Sequence, residues 1–421
     1  MRRPARFDAG LYAASAVVAA GTWFLADIPI HRTWGRIAVG PYAAGTLLML
    51  GVALLRRPSR RARDWIAVGV FAGVALLPMA LEVAWRARTE PGLHAQSEVI
   101  VTEEAAKAFV HGKDPYDVDY LDGPLRARPP GTKTHFPYLP GMLAFGLPRA
   151  VAGSSAVTDA RIAFAVVTLV VAGFALWGRR ERGVGEGRGW GPERRLRALQ
   201  VFLLLPTGAL LMATSGDDLP VLGLMLLAIA LAERGSTLGA GVALGLAAAT
   251  KQTAWVLVPF LILALRDRAW RRGTAAAAAV VVPVVLPFLL WRPGAFIEDV
   301  IEFPIGLGRQ RSAAETPTVG SWLVRTFPSA RVPLTAILVA AIASVLVVML
   351  LRPGVRTPSG AARSAGLVFI VALVLAPAGR IGYLVYPLNL LAWAWLLERS
   401  AASMSPDPSE AAGSRRLIGQ P

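Results

Sequence analysis

The chain has 421 residues, 55% of them hydrophobic, and a formal net charge of +17. A mean hydropathy of +0.52 is too apolar for an ordinary soluble domain. The arginines cluster at the ends of apolar runs, as in cytoplasmic membrane loops, which argues against nucleic acid as a partner.

After the start MRRPARFDAG, residues 11–26 form a first span, too long for a signal-peptide core and so retained. A short loop around His31 leads to a second span at 37–55, and Arg56, Arg57, Arg60, Arg61 and Arg63 after it are placed inside. A third span, 65–85, carries the chain out. The stretch 96–140 is unlike its surroundings: it holds fourteen charged or histidine positions, Glu98, Glu103, Glu104, Lys107, Asp114, Asp117, Asp119, Asp122, Lys133 and His135 among them, between two apolar regions. Ser97 is placed to cap a helix from Glu98 to about Val110, and Gly112 to end it. Asp114-Pro115-Tyr116 then starts a turn. Residues 136–151 are broken by Pro137, Pro140, Gly141, Gly146 and Pro148 and are expected to lie along the interface without crossing. Only then does the arginine-dense GRRERGVGEGRGWGPERRLR, after the span 160–177, fall inside.

Residues 199–213 lead out to Thr214-Ser215-Gly216-Asp217-Asp218, and 219–232 lead back to Glu233-Arg234. Residues 238–265 read as two short helices meeting at Lys251-Gln252, because a single crossing would put Arg266, Arg268, Arg271 and Arg272 outside. The polar junction is expected to line a water-filled cavity. Residues 274–291 go out, 292–331 form a second outer segment, and 332–351 return to RPGVRTPSGAAR inside. Spans 367–377 and 381–397, joined at Ala378-Gly379-Arg380, complete the bundle. The expected fold is an all-α polytopic membrane protein of about 12 spans with both termini inside. It forms a single transmembrane domain over 1–399, with an outer loop at 86–157, the second outer segment at 292–331, and a disordered cytoplasmic tail over 400–421.

This topology gathers the unusual polar residues on one face: Glu98, Glu103, Glu104, Lys107, Lys133, His135, Asp217, Asp218, Lys251, Glu302, Arg309, Arg311 and Arg380. All four lysines fall there, while the inner loops use arginine. Cations suit a membrane-borne phosphate leaving group, and a carboxylate suits a hydroxyl acceptor whose proton must be taken. With no cysteine and four histidines in no ligand spacing, no metal or cofactor is expected. Plainer readings stand beside these. The helix dipole favours Glu98 in a first turn without catalysis, and Glu103 and Lys107 are spaced for a helix salt bridge. Asp217 and Asp218 are placed to cap a helix, and Arg309 and Arg311 to meet lipid headgroups. Lys251 interrupts an apolar run, where a charge is costly, which favours a functional role.

The motifs resemble a known family. Glu98, Ala105-Ala106, Gly112-Lys113-Asp114-Pro115-Tyr116 and Phe136-Pro137-Tyr138-Leu139-Pro140 are similar to the first outer loop of the polytopic GT-C glycosyltransferases that use polyprenyl-phosphate sugars. The nearest likeness is to the bacterial family 87 group, which includes actinobacterial mannosyltransferases. Ala240-Gly241 through Gly245-Leu246 to Lys251, and Gly382-Tyr383-Leu384-Val385-Tyr386-Pro387, extend the likeness. Glu98 stands where that family usually carries Asp. The resemblance implies GT-C-like outer loops with short interfacial helices, and an inverting transfer of a sugar, expected to be mannose, from a polyprenyl phosphate to a lipid or glycan acceptor. The reaction would take place on the extracytoplasmic face of the cell membrane, in building the cell envelope. Glu98 is then the base. Lys133, Lys251, Arg309 and Arg311 hold the phosphate, Asp217 and Asp218 bind sugar hydroxyls or the acceptor, and His135, Tyr138 and Arg380 complete the substrate contacts. The rival reading is a transporter or lipid flippase, whose charges would sit near the midplane, often within related repeats.

Overall fold

The computed structural model describes residues 2–55, 59–89, 92–128, 130–178, 190–265, 269–310, 316 and 318–402. Arg56, Arg57, Arg266, Arg268 and Arg311, the arginine-dense loop at 179–189, and 403–421 of the expected tail lie outside the described residues. Every element among those described is helical, and eight helices are long and apolar enough to cross a membrane. They are Arg3–Leu25, Pro29–Leu54, Arg60–Arg86, Ala160–Trp177, Trp270–Trp291, Pro328–Leu350, Pro358–Leu375 and Ile381–Glu398. The bent pair Pro192–Leu204 and Pro206–Thr214, folded by 50°, makes a ninth if it is one span. The expected count of about 12 is thus not confirmed among the described residues. Asp218–Glu233, Thr237–Thr250 and Val258–Ala264 have 16, 14 and 7 residues, short of the roughly 20 that a full crossing takes.

Two interruptions are held by the second helix. Pro78 has no N–H to give the Val74 carbonyl four residues before it, and the helix widens into a π turn at Ala72–Leu76. The buried Trp34 indole donates to that carbonyl at 2.8 Å. A second π turn, Gln200–Leu204, precedes the break at Pro206, and there the buried Tyr42 hydroxyl donates to the Leu204 carbonyl. At the arginine-rich end, Arg63 pairs with Asp8 at 2.7 Å and Glu193 at 2.8 Å, tying the first, third and Pro192–Leu199 helices together.

The polar stretch folds into a layer with its own core. Ser97–Val110 packs on the 10-residue Leu143–Ala152 helix, where Gly146 lets the backbone approach: a Cβ there would meet Ala106 Cβ at 2.7 Å. Leu143–Ala152 spans about 15 Å at 1.5 Å per residue, half a hydrocarbon core. Tyr116, Phe136, Tyr138, Phe145, Phe296 and Val300 fill the space beneath. Gln96, not Ser97, holds the cap position of Ser97–Val110, and it makes no side-chain cap bond. Its amide is engaged instead by Thr214 and His31. The expected Glu103–Lys107 bridge does not form. Glu103 turns inward to Arg86 at 2.7 Å and Arg149 at 3.3 Å, and Lys107 approaches Glu104. That network, joined by Asp159 and Arg161, locks the layer to two spans.

The two short helices meet at Lys251 as the sequence suggests: Thr237–Thr250 ends, Lys251 is extended, and Gln252–Val256 turns into Val258–Ala264. Pro358–Leu375 begins nine residues before the expected 367, inside what reads as a loop. Thr357 caps it, accepting from Gly360 N at 3.0 Å, and the small residues Gly360, Ala361 and Ala362 bury readily. The last helix likewise runs past 399 to Ala402.

Ser59 and Thr89 flank the two ends of Arg60–Arg86. With no native cysteine to interfere, single Ser59→Cys and Thr89→Cys variants are expected to react with an impermeant thiol reagent from opposite sides, Thr89→Cys in intact cells and Ser59→Cys only after permeabilisation. Labelling of both from one side would overturn the crossing.

Candidate active site

Glu98 occupies the first turn of Ser97–Val110, where the free backbone N–H groups favour a carboxylate. Gln96 N donates to the Thr214 carbonyl at 3.3 Å, anchoring that turn to the end of Pro206–Thr214. The Glu98 carboxylate pairs with Arg380 on the wall of a small cavity of about 40 Å³, whose wall also carries His135, Tyr138 and Phe303. The Glu98 side chain is 10% exposed and Arg380 40% exposed, so the carboxylate is largely buried while the guanidinium is open to solvent. Arg380 sits in the connection between the last two spans. Thr316 holds that connection from both sides, its N donating to the Gly379 carbonyl and its hydroxyl accepting from Ile381 N.

The Phe136-Pro137-Tyr138 re-entry forms a second wall. Gln252 donates its amide to the carbonyls of Pro137 at 3.0 Å and Val300 at 2.8 Å, and Leu139 N donates to Thr250 O. The break at Lys251 and the re-entry are thus joined by one backbone bond and by the Gln252 side chain. The Tyr138 ring is shared: one side lines the cavity, and the Lys251 ammonium lies 5.1 Å from its centroid.

Lys251 does not offer its ammonium to the cavity as the sequence suggests. It is buried and bonded to Asp217 and Asp218, each at 2.6 Å. A lone cation in an apolar bundle is stabilised most by carboxylates it can reach without water, and two are in reach. Asp217 and Asp218 are consumed by the same contact. Tyr386 adds a hydrogen bond to Asp218 at 2.7 Å, and Thr253 donates to Tyr386. The Gly382–Pro387 motif therefore serves this buried cluster. Its tyrosines, spaced three apart on a helix, were readable as one face but gave no sign of their partner.

His135 is buried and stacked on Phe303 at 4.1 Å. Its Nε2 lies 3.5 Å from Glu298 and 3.9 Å from Asp299. These two acids were not singled out from sequence, where adjacent carboxylates in an outer segment look like a solvated face. Burial lowers the His135 pKa, against the bond to Glu298 that raises it. Arg309 bonds Glu298 through Nε at 2.7 Å and is 71% exposed, behind His135 and outside the cavity wall. Lys133 donates to the Arg126 carbonyl at 3.2 Å and also stands away. Of the expected site residues, then, Glu98, His135, Tyr138 and Arg380 converge, while Lys133, Lys251, Asp217, Asp218 and Arg309 are engaged elsewhere, and Arg311 lies outside the described residues. Among the described residues no three acids or histidines are grouped to hold a metal.

Residues 136–377, more than half of the chain, match the family model described as Glycosyltransferase family 87. The chain belongs to this family. The matched region opens at the re-entry and carries the Lys251 cluster. Glu98, His135 and Arg380 flank it, so this family 87 chain closes its cavity with residues from outside the matched span. Two solved structures, ArnT from Cupriavidus metallidurans bound to undecaprenyl phosphate and the same protein in the apo state, are similar at 18% identity with TM-scores of 0.47 and 0.45. The similarity covers 85% of this chain, which spans 62% and 63% of the length of those proteins. Comparison with curated proteins finds no match.

Removing the Lys251 charge strands two buried carboxylates. Lys251→Met is expected to destabilise the fold by about 3–5 kcal/mol, and adding Asp217→Asn should recover part of the loss, both read from thermal unfolding in detergent. A Lys251→Met variant as stable as the parent would deny the cluster its structural role.

Burial pushes Asp299 up to about 8, against the bond from Phe136 N. Between its ordinary value of 3.8 and about 8, the folded chain keeps a proton that the unfolded chain has lost. Stability therefore falls as pH rises through that window. Asp299→Asn keeps an acceptor for Phe136 N, made at 2.7 Å in the parent, and cannot ionise. It should flatten the pH dependence and unfold at higher temperature than the parent near pH 8. Parallel stability curves would exclude this ionisation as the cause.

Proposed function

We propose that this family 87 chain is an inverting glycosyltransferase that moves mannose from a polyprenyl-phosphate donor to a hydroxyl of a lipid or glycan, on the extracytoplasmic face of the cell membrane. The observation that carries the reading is the Glu98–Arg380 pair on the wall of a cavity shared with His135 and Tyr138. The polyprenyl donor and mannose rest on the likeness of the Gly112–Tyr116 and Phe136–Pro140 motifs to the group that uses such sugars. The side of the membrane rests on the arginines at the opposite end. The catalytic unit is the single domain over 1–399, with 86–157 and 292–331 as its outer segments, and the envelope is where its product would be used.

Glu98 takes the proton of the acceptor hydroxyl as that oxygen attacks the anomeric carbon. The bond from that carbon to the phosphate oxygen breaks on the opposite face, its electron pair staying with the phosphate. Arg380 binds the phosphate charge through its planar donors. A donor phosphate competes with Glu98 for the guanidinium, so binding the donor also releases the base. Tyr138 and Phe303 supply apolar walls that keep bulk water from the anomeric carbon, and His135 holds the wall between them. Lys251, Asp217 and Asp218 act one layer behind, by fixing Tyr138.

Glu98→Gln preserves size and cannot accept the proton. Turnover of a polyprenyl-phosphate sugar by the purified protein should fall by roughly 10²-fold or more, with donor binding retained, while Glu98→Asp keeps part of the activity. Near-normal transfer by Glu98→Gln would remove the base assignment. Failure of the parent chain to turn over any of a panel of polyprenyl-phosphate sugars would overturn the function.

A further inference from the structure

The His135 edge of the cavity joins the two outer segments, and its hydrogen bonds do not close without an extra proton. The Thr134 hydroxyl gives its hydrogen to the Pro130 carbonyl at 3.1 Å, so it accepts from His135 Nδ1 at 2.8 Å. The Gly131 carbonyl, 3.3 Å from the same nitrogen, can only accept. Nδ1 is therefore the N–H of a neutral ring, and Nε2 is left as a lone pair. That lone pair faces Glu298 Oε1 at 3.5 Å and Asp299 Oδ1 at 3.9 Å. Asp299 Oδ1 is buried and has no hydrogen-bond partner, while Oδ2 accepts from Phe136 N at 2.7 Å.

Three acceptors facing one another in a buried space are costly. One further proton at this edge resolves them, on Asp299 Oδ1 or on Nε2. Burial raises the Asp299 pKa and lowers that of His135, and both shifts place the proton on the acid. Glu298 stays ionised: burial raises it, but the bonds from Arg309 N and Nε outweigh that. Arg309 lies on the same segment as the two acids. From the first outer loop Asp114 acts on Asp299 and Asp119 on Arg309, and Glu98 and Arg380 share the cavity with His135.

The ring that this proton holds is also a wall. His135 stacks on Phe303 at 4.1 Å, and both line the cavity. At about 40 Å³ the cavity is well below the roughly 300–1,000 Å³ of sites that enclose a small ligand. A sugar therefore reaches Glu98 only if one wall moves. Ser97–Val110 is locked through Glu103 to Arg86 and Arg149, and Tyr138 is backed by Lys251. Between His135 and the second outer segment stand a ring stack and the shared proton.

We propose that the proton shared by His135, Glu298 and Asp299 is a latch between the two outer segments, and that its loss swings His135 off Phe303 and opens the cavity to Glu98. Without the proton, two ionised carboxylates and a lone pair face one another. The bond from Phe136 N to Asp299 remains, so the backbones stay joined while the ring leaves. Use of the opening to admit a sugar rests on the glycosyltransferase reading; the latch does not.

The test needs no donor. Val101 is buried on the cavity wall, and the chain has no cysteine. In nanodiscs, the rate at which a Val101→Cys variant reacts with an impermeant thiol reagent is divided by that of the exposed Thr89→Cys variant, from about pH 6 to about pH 9. The ratio should rise with pH, by up to about tenfold per unit while the closed form dominates. Asp299→Asn keeps an acceptor for Phe136 N and sets an amide N–H toward Nε2, so its ratio should stay low throughout. In the parent chain, histidine-selective NMR should show the His135 ring changing with the same midpoint, which tests the latch even if Asp299→Asn fails to fold. A flat ratio in the otherwise parental chain, a rise in folded Asp299→Asn equal to it, or a His135 ring that does not change through the opening would each overturn the latch. Opening that follows the expected pattern in a chain that transfers no sugar would overturn the enzymatic reading and leave the latch standing. Sugar transfer by Asp299→Asn equal to the parent's above about pH 8 would overturn the role of the latch in substrate entry.

Discussion

A helix interrupted inside an apolar bundle exposes carbonyls that no water can reach, and each must find a donor within the protein. Among the described residues, three such interruptions matter to the site: the π turn before Pro78, the bend before Pro206, and Lys251. Trp34 and Tyr42 answer the first two from a single face of Pro29–Leu54. The two N-terminal spans precede the region matched to family 87, yet one of them supplies the donors that let the later spans bend. Without those bends, Thr214 would not reach Gln96 and the first turn of Ser97–Val110 would lose its anchor.

The third interruption builds the site. Lys251 ends Thr237–Thr250 in an extended conformation, which frees Thr250 O for Leu139 N and places Gln252 between Pro137 and Val300. One break therefore joins the first outer loop to the second outer segment. The charge that makes the break expensive also secures it, since Asp217, Asp218 and Tyr386 come from two further helices. Tyr138 links this cluster to the cavity: its ring lies beside the Lys251 ammonium, and the residue lines the cavity that also holds Glu98.

What the sequence discloses follows from the range of the interaction. Spans such as 160–177 and 274–291 are plain because hydropathy is a local sum. The Lys251 break is plain because a lysine in an apolar run has no local remedy. Asp114 as a turn and Gly112 as a helix end are plain because their partners lie within a few residues. Local rules fail where a side chain turns inward. Glu103 has the spacing for Lys107, yet it faces Arg86, a buried guanidinium across the layer. The pairing of Lys251 with Asp217 and Asp218, and of His135 with Glu298 and Asp299, joins positions far apart in the chain, and no periodicity encodes such a choice. The difference between about 12 expected spans and the eight or nine candidates among the described residues has a related source: apolar runs of 14 or 16 residues buried among other helices read like crossings when only composition is visible.

The ion pairs differ in how readily a ligand can displace them. Arg63, Arg86, Arg161 and Lys251 are buried, and most of their carboxylate partners answer more than one donor. Breaking such a pair strands a buried charge at about 3–5 kcal/mol, more than one incoming phosphate contact is worth. Arg380 is 40% exposed, and Glu98 is its ion-pair partner on the cavity wall. The Glu98 carboxylate is only 10% exposed, so breaking its pair costs more than the about 0–1 kcal/mol of a fully exposed pair and less than a pair buried on both sides. In the proposed reaction, a Glu98 carboxylate that lost its cation would become a stronger base. Glu103, Asp217 and Asp218 are paired with buried cations and stay in the scaffold, whereas the cation that Glu98 holds is itself open to solvent.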